Sequence, residues 1–97
     1  MTKFKTPALK KLPEWAKANE LSNKDFATLL SCDPSQVWRW LNGDALPNSV
    51  KRIVISELTN GVVSELDWLT ADDLKELAAA RALVERWLDA RANLGAA

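Results

Sequence analysis

The stretch LSNKDFATLLSCDPSQVWRWLNG, residues 21–43, constrains the fold more than any other part of the chain. It carries two helix starts in close succession. Ser22 followed by Asp25 is a capping box, in which each side chain satisfies the other's free backbone N–H. Leu21 and Phe26 flank it as a hydrophobic staple. Asp33-Pro34 with Gln36 repeats the signal. Asp33 is the N-cap, and Pro34 takes the first helical position, where its missing N–H costs nothing. Cys32 and Val37 form a second staple. Between the helices only Ser31-Cys32-Asp33 is left, a three-residue turn. Two helices so short and so close must pack on each other. The first presents Phe26, Ala27, Leu29 and Leu30 to the interior. The second presents Val37, Trp40 and Leu41, spaced i, i+3 and i+4. Ser35, Gln36, Trp38 and Arg39 fall off that stripe and face outward. Asn42-Gly43 stops this second helix, which spans about residues 34–42.

The rest of the chain also reads as helices. Ninety-seven residues make one small core, and 47% hydrophobic content is enough to fill it. Glycines number only three, and β-branched residues are sparse outside 50–55 and 62–63. The fold class is therefore all-α. Thr6-Pro7 opens a helix with Thr6 as N-cap. Pro13 cannot donate to Leu9 and divides it into a first turn near 7–12 and a helix from Pro13 to about Glu20. Trp15 belongs to the core. A fourth helix spans about Asn48 to Thr59, with Val50, Ile53, Val54, Ile55 and Leu58 on its apolar side and Asn60-Gly61 as its stop. Val62-Val63 leaves room for one very short strand, paired with Phe4 or with a second chain. Trp68 and Leu69 fold back onto the core. Thr70 and Asp73 cap a last helix, stapled by Leu69 and Leu74, that runs to about Asn93 with Gly95 beyond. Leu74, Leu77, Val84 and Leu88 form one stripe on it, and Ala80, Leu83, Trp87 and Leu94 an adjacent one. That apolar face is wider than one surface helix on a small domain needs. The chain thus divides into residues 1–69 and a C-terminal helical segment, residues 70–97.

Several chemistries are excluded. The chain has no His and one Cys, so no His/Cys metal site and no internal disulfide can form. No Gly-rich phosphate loop and no nucleophile elbow occur. Asp72-Asp73 is a first-turn acid pair suited to the helix dipole rather than to catalysis. The expectation is a non-enzyme without cofactor or metal. No apolar run approaches the roughly 18 residues of a membrane span. The N-terminus is too polar for a signal peptide, and a reducing cytoplasm is the expected compartment. Thirteen basic and thirteen acidic groups cancel overall, but unevenly. Residues 1–60 hold nine basic groups against six acidic, and the remainder four against seven. A basic front and an acidic rear suit a domain that meets phosphate on one side. The arm 1–5, with Lys3 and Lys5, is either loose and basic, of the kind that tracks phosphates, or paired through Phe4.

Val37-Trp38-Arg39-Trp40-Leu41-Asn42-Gly43 has the form V-x-x-W-x-x-G. It follows a helix with a small residue, Ala27, where close approach is needed. Pro47, a further helix and the T-x-G-x-V run Thr59-Asn60-Gly61-Val62-Val63 come after it. Over about residues 12–68 the chain resembles the helix-turn-helix of the Cro and phage-repressor family, including small antitoxin-like regulators. The resemblance implies a five-helix lambda-repressor-like domain, here with an extra C-terminal helix. It implies a sequence-specific regulator of transcription, of phage or mobile-element type, that binds double-stranded DNA at a near-palindromic operator as a homodimer. Carried over by position, Pro34, Ser35, Trp38 and Arg39 face the major groove, with Gln36 at the border. Ser35, Gln36, Trp38 and Arg39 are then the base contacts. Trp38 either packs on thymine methyls or shields a helix junction. Phosphate contacts fall to Asn23, Lys24, Asn42, Ser49 and Lys51. The final helix lies outside the resemblance. Its face at Leu77, Val84, Trp87 and Leu88 is the expected dimer interface; binding a different protein, or folding back over the core, are the alternatives. A protein-binding antitoxin-like module and a DNA-packaging adaptor with an oligomerising helix are competing functions. The chain departs from the family pattern at Ser31, where glycine is usual, and at Cys32, where a buried aliphatic is usual. Cys32 is either a small buried hydrophobe or a redox switch.

Overall fold

The computed structural model describes residues 2–95, and among these every regular element is helical. Five α-helices follow in order: α1 (Ala8–Ala18), α2 (Asn23–Leu30), α3 (Pro34–Leu41), α4 (Ser49–Leu58) and α5 (Ala71–Gly95). A 3₁₀ turn (Glu65–Trp68) stands between α4 and α5. The fold is all-α, as the sparse glycine and β-branched content requires.

The core is small and contiguous. Ala8 and Leu12 of α1, Phe26, Ala27 and Leu30 of α2, Val37 and Trp40 of α3 and Ile55 of α4 are buried together with Val63 and Trp68. Helix α3 packs on α1 and α2, α2 also touches α4, and α4 packs on the 3₁₀ turn. Trp15 is half-buried and meets Phe26 edge-on, with ring centroids 5.8 Å apart. The Lys11 ammonium of α1 donates to the buried Asp67 carboxylate at 2.9 Å. That ion pair ties the first helix to the last turn of the core.

Several local expectations are corrected. Pro13 does not break α1, which continues unbroken from Ala8 to Ala18. One missing hydrogen bond is outweighed by the burial of Ala8 and Leu12 along the same helix. Thr6 is not the cap of α1. Pro7 holds that position, and the buried Thr6 hydroxyl has no hydrogen-bond partner among the described residues. Leu29 is 53% exposed, because the inner side of α2 is already filled by Phe26, Ala27 and Leu30. Val50 and Ile53 also face outward, so α4 buries Ile55 fully and Val54 and Leu58 in part. Val62-Val63 forms no strand. The Val63 N–H donates instead to the Thr59 hydroxyl at 3.1 Å, which turns Val63 into the core and leaves Val62 exposed. Phe4 has a different partner from the one expected. The Lys3 and Phe4 N–H groups both donate to the Gly43 carbonyl, at 3.0 and 2.8 Å.

Helix α5 does not fold back over the core. Its N-terminus is capped as the sequence predicts: the Thr70 N–H donates to Asp73 at 3.1 Å, and the Asp73 N–H to the Thr70 hydroxyl at 3.2 Å. None of its 25 residues is buried. The described chain is accordingly elongated, 59 × 28 × 21 Å.

Burial alone would raise the Asp67 carboxyl. Hydrogen bonds from Lys11 and from the Ser64 N–H and hydroxyl outweigh it and hold the group below the usual carboxylate range. A depressed folded pKa stabilises the fold above the unfolded value, about 3.9, and that contribution is lost as pH falls from there through the folded value. Asp67→Asn should therefore lower the unfolding free energy by about 1–3 kcal/mol at pH 7. The gap to the natural chain should narrow below about pH 4. Urea midpoints at neutral and acid pH measure both.

Candidate nucleic-acid interface

Helix α3 has eight residues and two unlike sides. Val37 and Trp40 are buried at 1% and 6% exposure, and Leu41 is half-buried. Pro34, Ser35, Gln36, Trp38 and Arg39 are all exposed. An exposed helix side carrying a hydroxyl, an amide, an indole and a guanidinium offers donors and acceptors without blocking them in the interior. Every residue expected to read bases thus lies on the open side.

The turn before α3 is as short as expected, residues 31–33. Ser31 sits in the left-handed region at φ 53°, ψ 49°, where glycine is the easier residue. Its N–H donates to Thr28, and the Cys32 N–H donates to the Ala27 carbonyl at 2.9 Å, closing the end of α2. Asp33 occupies the N-cap of α3, but its side chain makes no capping bond. The expected reciprocal box with Gln36 is absent; Gln36 instead donates its backbone N–H to the Asp33 carbonyl at 3.0 Å. The Gln36 side chain is consequently not tied back to the cap. Cys32 is half-buried, and burial pushes its thiol up, against the smaller opposite pull of Lys51. A neutral thiol of this kind behaves as a small hydrophobe rather than a reactive thiolate.

Two open grooves flank α3. One, of about 540 Å³, runs between α2 and α3 over Thr28, Ser31 and Asp33. The other, of about 250 Å³, lies between α3 and the start of α4, over Arg39, Pro47 and Asn48. Gln36 and Lys51 line both.

The phosphate candidates separate into three groups. Asn23 and Lys24 stand in the first turn of α2, Asn23 half-buried and Lys24 exposed. That turn also carries Asp25, held below the usual carboxylate range by the Ser22 N–H and hydroxyl, so it stays negative. Ser49 is exposed at the first position of α4, whose first turn contains no acid. Its cap is the neutral Asn48, which accepts from the Lys51 N–H at 2.9 Å. Helix N-termini favour anions, and an acid in the first turn opposes them. The α4 start is therefore the better phosphate cradle. Asn42 and Lys51 are already engaged: Asn42 donates its side-chain amide to the Trp38 carbonyl at 2.7 Å, and the Lys51 ammonium donates to the Leu30 carbonyl at the end of α2. Lys51 thereby braces α4 against α2, while the Asn42 bond closes the C-terminal end of α3 itself. The expected dimer residues Leu77, Val84, Trp87 and Leu88 lie together on α5, remote in sequence from this face. Leu77 is half-buried and the other three exposed.

Three contributors were not legible from the sequence. Asn48 caps α4 at the groove edge. Arg52 donates its Nε to the Pro47 carbonyl at 2.8 Å and fixes the loop before α4. The anchoring of Lys3 and Phe4 on Gly43 brings the basic arm to the C-terminal end of α3. Gly43, at φ +74°, permits that approach: a Cβ there would stand 2.6 Å from the Phe4 carbonyl oxygen. The only sequence signal for this contact was the glycine itself.

Compared with known proteins, the chain matches no family model, no curated protein and no solved structure. The functional argument therefore rests on this geometry.

The two sides of α3 should respond differently to truncation. Trp40→Ala should cost about 3–5 kcal/mol of stability. Arg39→Ala should stay within about 0.5 kcal/mol of the natural chain. Thermal melts of the two variants check this, and equal losses would overturn the assignment of sides.

Proposed function

We propose that this protein is a sequence-specific double-stranded DNA-binding regulator of transcription, of the Cro-like phage or mobile-element type. It places α3 in the major groove and binds a near-palindromic operator as a homodimer, in a bacterial or phage-infected cytoplasm. The observation that carries the reading is the polarity of α3. After a three-residue turn, its inner side is locked by Val37 and Trp40 while Ser35, Gln36, Trp38 and Arg39 stand free. An α-helix fits the major groove, and its N-terminal part meets the base edges.

Arg39 can donate bidentately to a guanine, a contact worth about 1–3 kcal/mol of discrimination. Ser35 and Gln36 meet bases nearer the helix start. Trp38, 54% exposed beside Arg39, offers an apolar surface for thymine methyls. The starts of α4 and α2 meet phosphate on either side, α4 the more favourably. No helix among the described residues is long and apolar enough to cross a membrane. A single such domain binds weakly, and the bare face of α5, at Leu77, Val84, Trp87 and Leu88, is the surface available to join two copies. The same bare helix also supports a second reading, an antitoxin-like module that masks another protein.

Selection of bound sequences from a random DNA pool tests the proposal. The expected result is a two-fold symmetric motif whose guanine preference is lost with Arg39→Ala, and binding that weakens as salt rises. No enriched motif, with binding insensitive to salt, would overturn it.

A further inference from the structure

We propose that a second copy of this chain docks on α5 in the antiparallel sense, its Trp87–Arg91 stack entering the groove at the root of the first copy's α5. This deepens the dimeric reading above by fixing how the two copies meet. The occupant is argued from the charge on one side of the helix. Asp73, Glu76, Leu77, Val84, Trp87 and Arg91 follow one another at steps that keep them on a single side of an α-helix. The acids on that side lie at its N-terminal end. The arginines follow, with Arg81 at the edge near the middle and Arg91 near the C-terminal end. The mixed charges Lys75, Glu85, Arg86 and Asp89 fall on the other side. A parallel pair would set Glu76 against Glu76 and Arg91 against Arg91. An antiparallel pair sets Glu76 of each copy against Arg91 of the other, with the two-fold axis near Leu83.

The shapes agree with the charges. At the root of α5 lies a groove of about 400 Å³, lined by Leu69, Asp73, Glu76, Leu77 and Ala80. Its floor is apolar and its rim acidic. Asp73 already accepts from the Thr70 N–H, which leaves Glu76 as the acid free to face a partner. The C-terminal half of the same helix presents the complementary feature. The Arg91 guanidinium lies 5.2 Å from the centre of the Trp87 ring. Trp87 is 58% exposed and Leu94 79% exposed. In the antiparallel register the partner's Trp87 falls on Ala80, the one lining residue of the groove with no bulk, and its Leu94 falls at Asp73, by the mouth of the same groove. A helix of this length spans about 37 Å, so the pairing carries the two α3-bearing domains to opposite ends of a rod on the scale of one DNA turn, about 34 Å.

Disulfide trapping of the full chain without DNA tests the orientation, in a Cys32→Ala background. Leu74 and Ala92 sit on the same flank of the helix and face each other only in the antiparallel pair. Oxidising a mixture of Leu74→Cys and Ala92→Cys chains should give the mixed disulfide, with little crosslinking within either variant alone. Sedimentation should show that Arg91→Glu shifts the chain from dimer toward monomer, and that Glu76→Arg combined with Arg91→Glu restores the dimer. A dimer by sedimentation that gives no mixed disulfide would establish a different pairing and overturn the proposal. A chain that stays monomeric would overturn it too. A monomer that still selects an operator leaves the DNA reading standing, whereas an antiparallel dimer that selects none removes only that reading.

Discussion

Val37 and Trp40 occupy one side of an eight-residue helix, and the rest of the molecule is built around burying them. A helix of that length is unstable alone, since so few backbone hydrogen bonds cannot offset the cost of the first turn. Its stability comes from the core. Helix α1 supplies Ala8 and Leu12 against it, and α2 supplies Phe26, Ala27 and Leu30. Ala27 is buried where a larger side chain would push α2 and α3 apart. Because the inner side is consumed by packing, the outer side is free to carry chemistry at little cost to stability. Arg39 is next to Trp40 in sequence and Trp38 two positions before it, yet both are exposed while Trp40 is buried.

Two backbone positions hold this arrangement in register. Ser31 adopts a left-handed conformation that costs a serine more than a glycine, and it persists because the N–H groups of Ser31 and Cys32 close the end of α2. Gly43 ends α3 at the other side and accepts the chain's N-terminal arm on its carbonyl. The exposed side of α3 is thus framed by a strained turn before it and a close backbone contact after it. Lys51 adds a third brace by reaching from α4 to the last carbonyl of α2. A cation placed there fixes the helix pair and holds positive charge beside the same groove.

Signals confined to a few neighbouring residues were the legible ones. The Ser22–Asp25 and Thr70–Asp73 boxes form as their spacing predicts, because both partners lie within one turn. The Ser64–Asp67 box has the same spacing and was equally readable, but it sits on a four-residue 3₁₀ turn too short to show helical periodicity. The departures from local pattern have a different origin. Leu29, Val50 and Ile53 lie on stripes that periodicity marks as apolar, yet periodicity does not say how far a neighbouring helix extends over them. Pro13 carries a local cost that burial along α1 overrides. In the candidate interface, exposure of Ser35, Gln36, Trp38 and Arg39 followed by elimination from the Val37–Trp40 stripe. The contact of Phe4 with Gly43 spans 39 positions and left no local pattern.

Helix α5 raises a problem that the globular part does not. A 25-residue helix with no buried residue gains little from packing, while Leu83, Val84, Trp87, Leu88 and Leu94 remain more than half exposed. Water does not favour so much apolar surface on one rod, and a partner that covers it stabilises the helix by mass action. If a second copy is that partner, as proposed, order in α5 and association of the two copies form one equilibrium. The overall neutrality of the chain sharpens the consequence. With thirteen charges of each sign, long-range attraction to phosphate is weak, so the proposed DNA binding would have to draw on a few aligned contacts at α3 and the start of α4. Those contacts add in pairs only when a second α3 is held at a fixed distance. On the proposed reading, such a regulator would couple occupancy of DNA to its own concentration, because the helix that would space the two reading sides is completed only by a second copy.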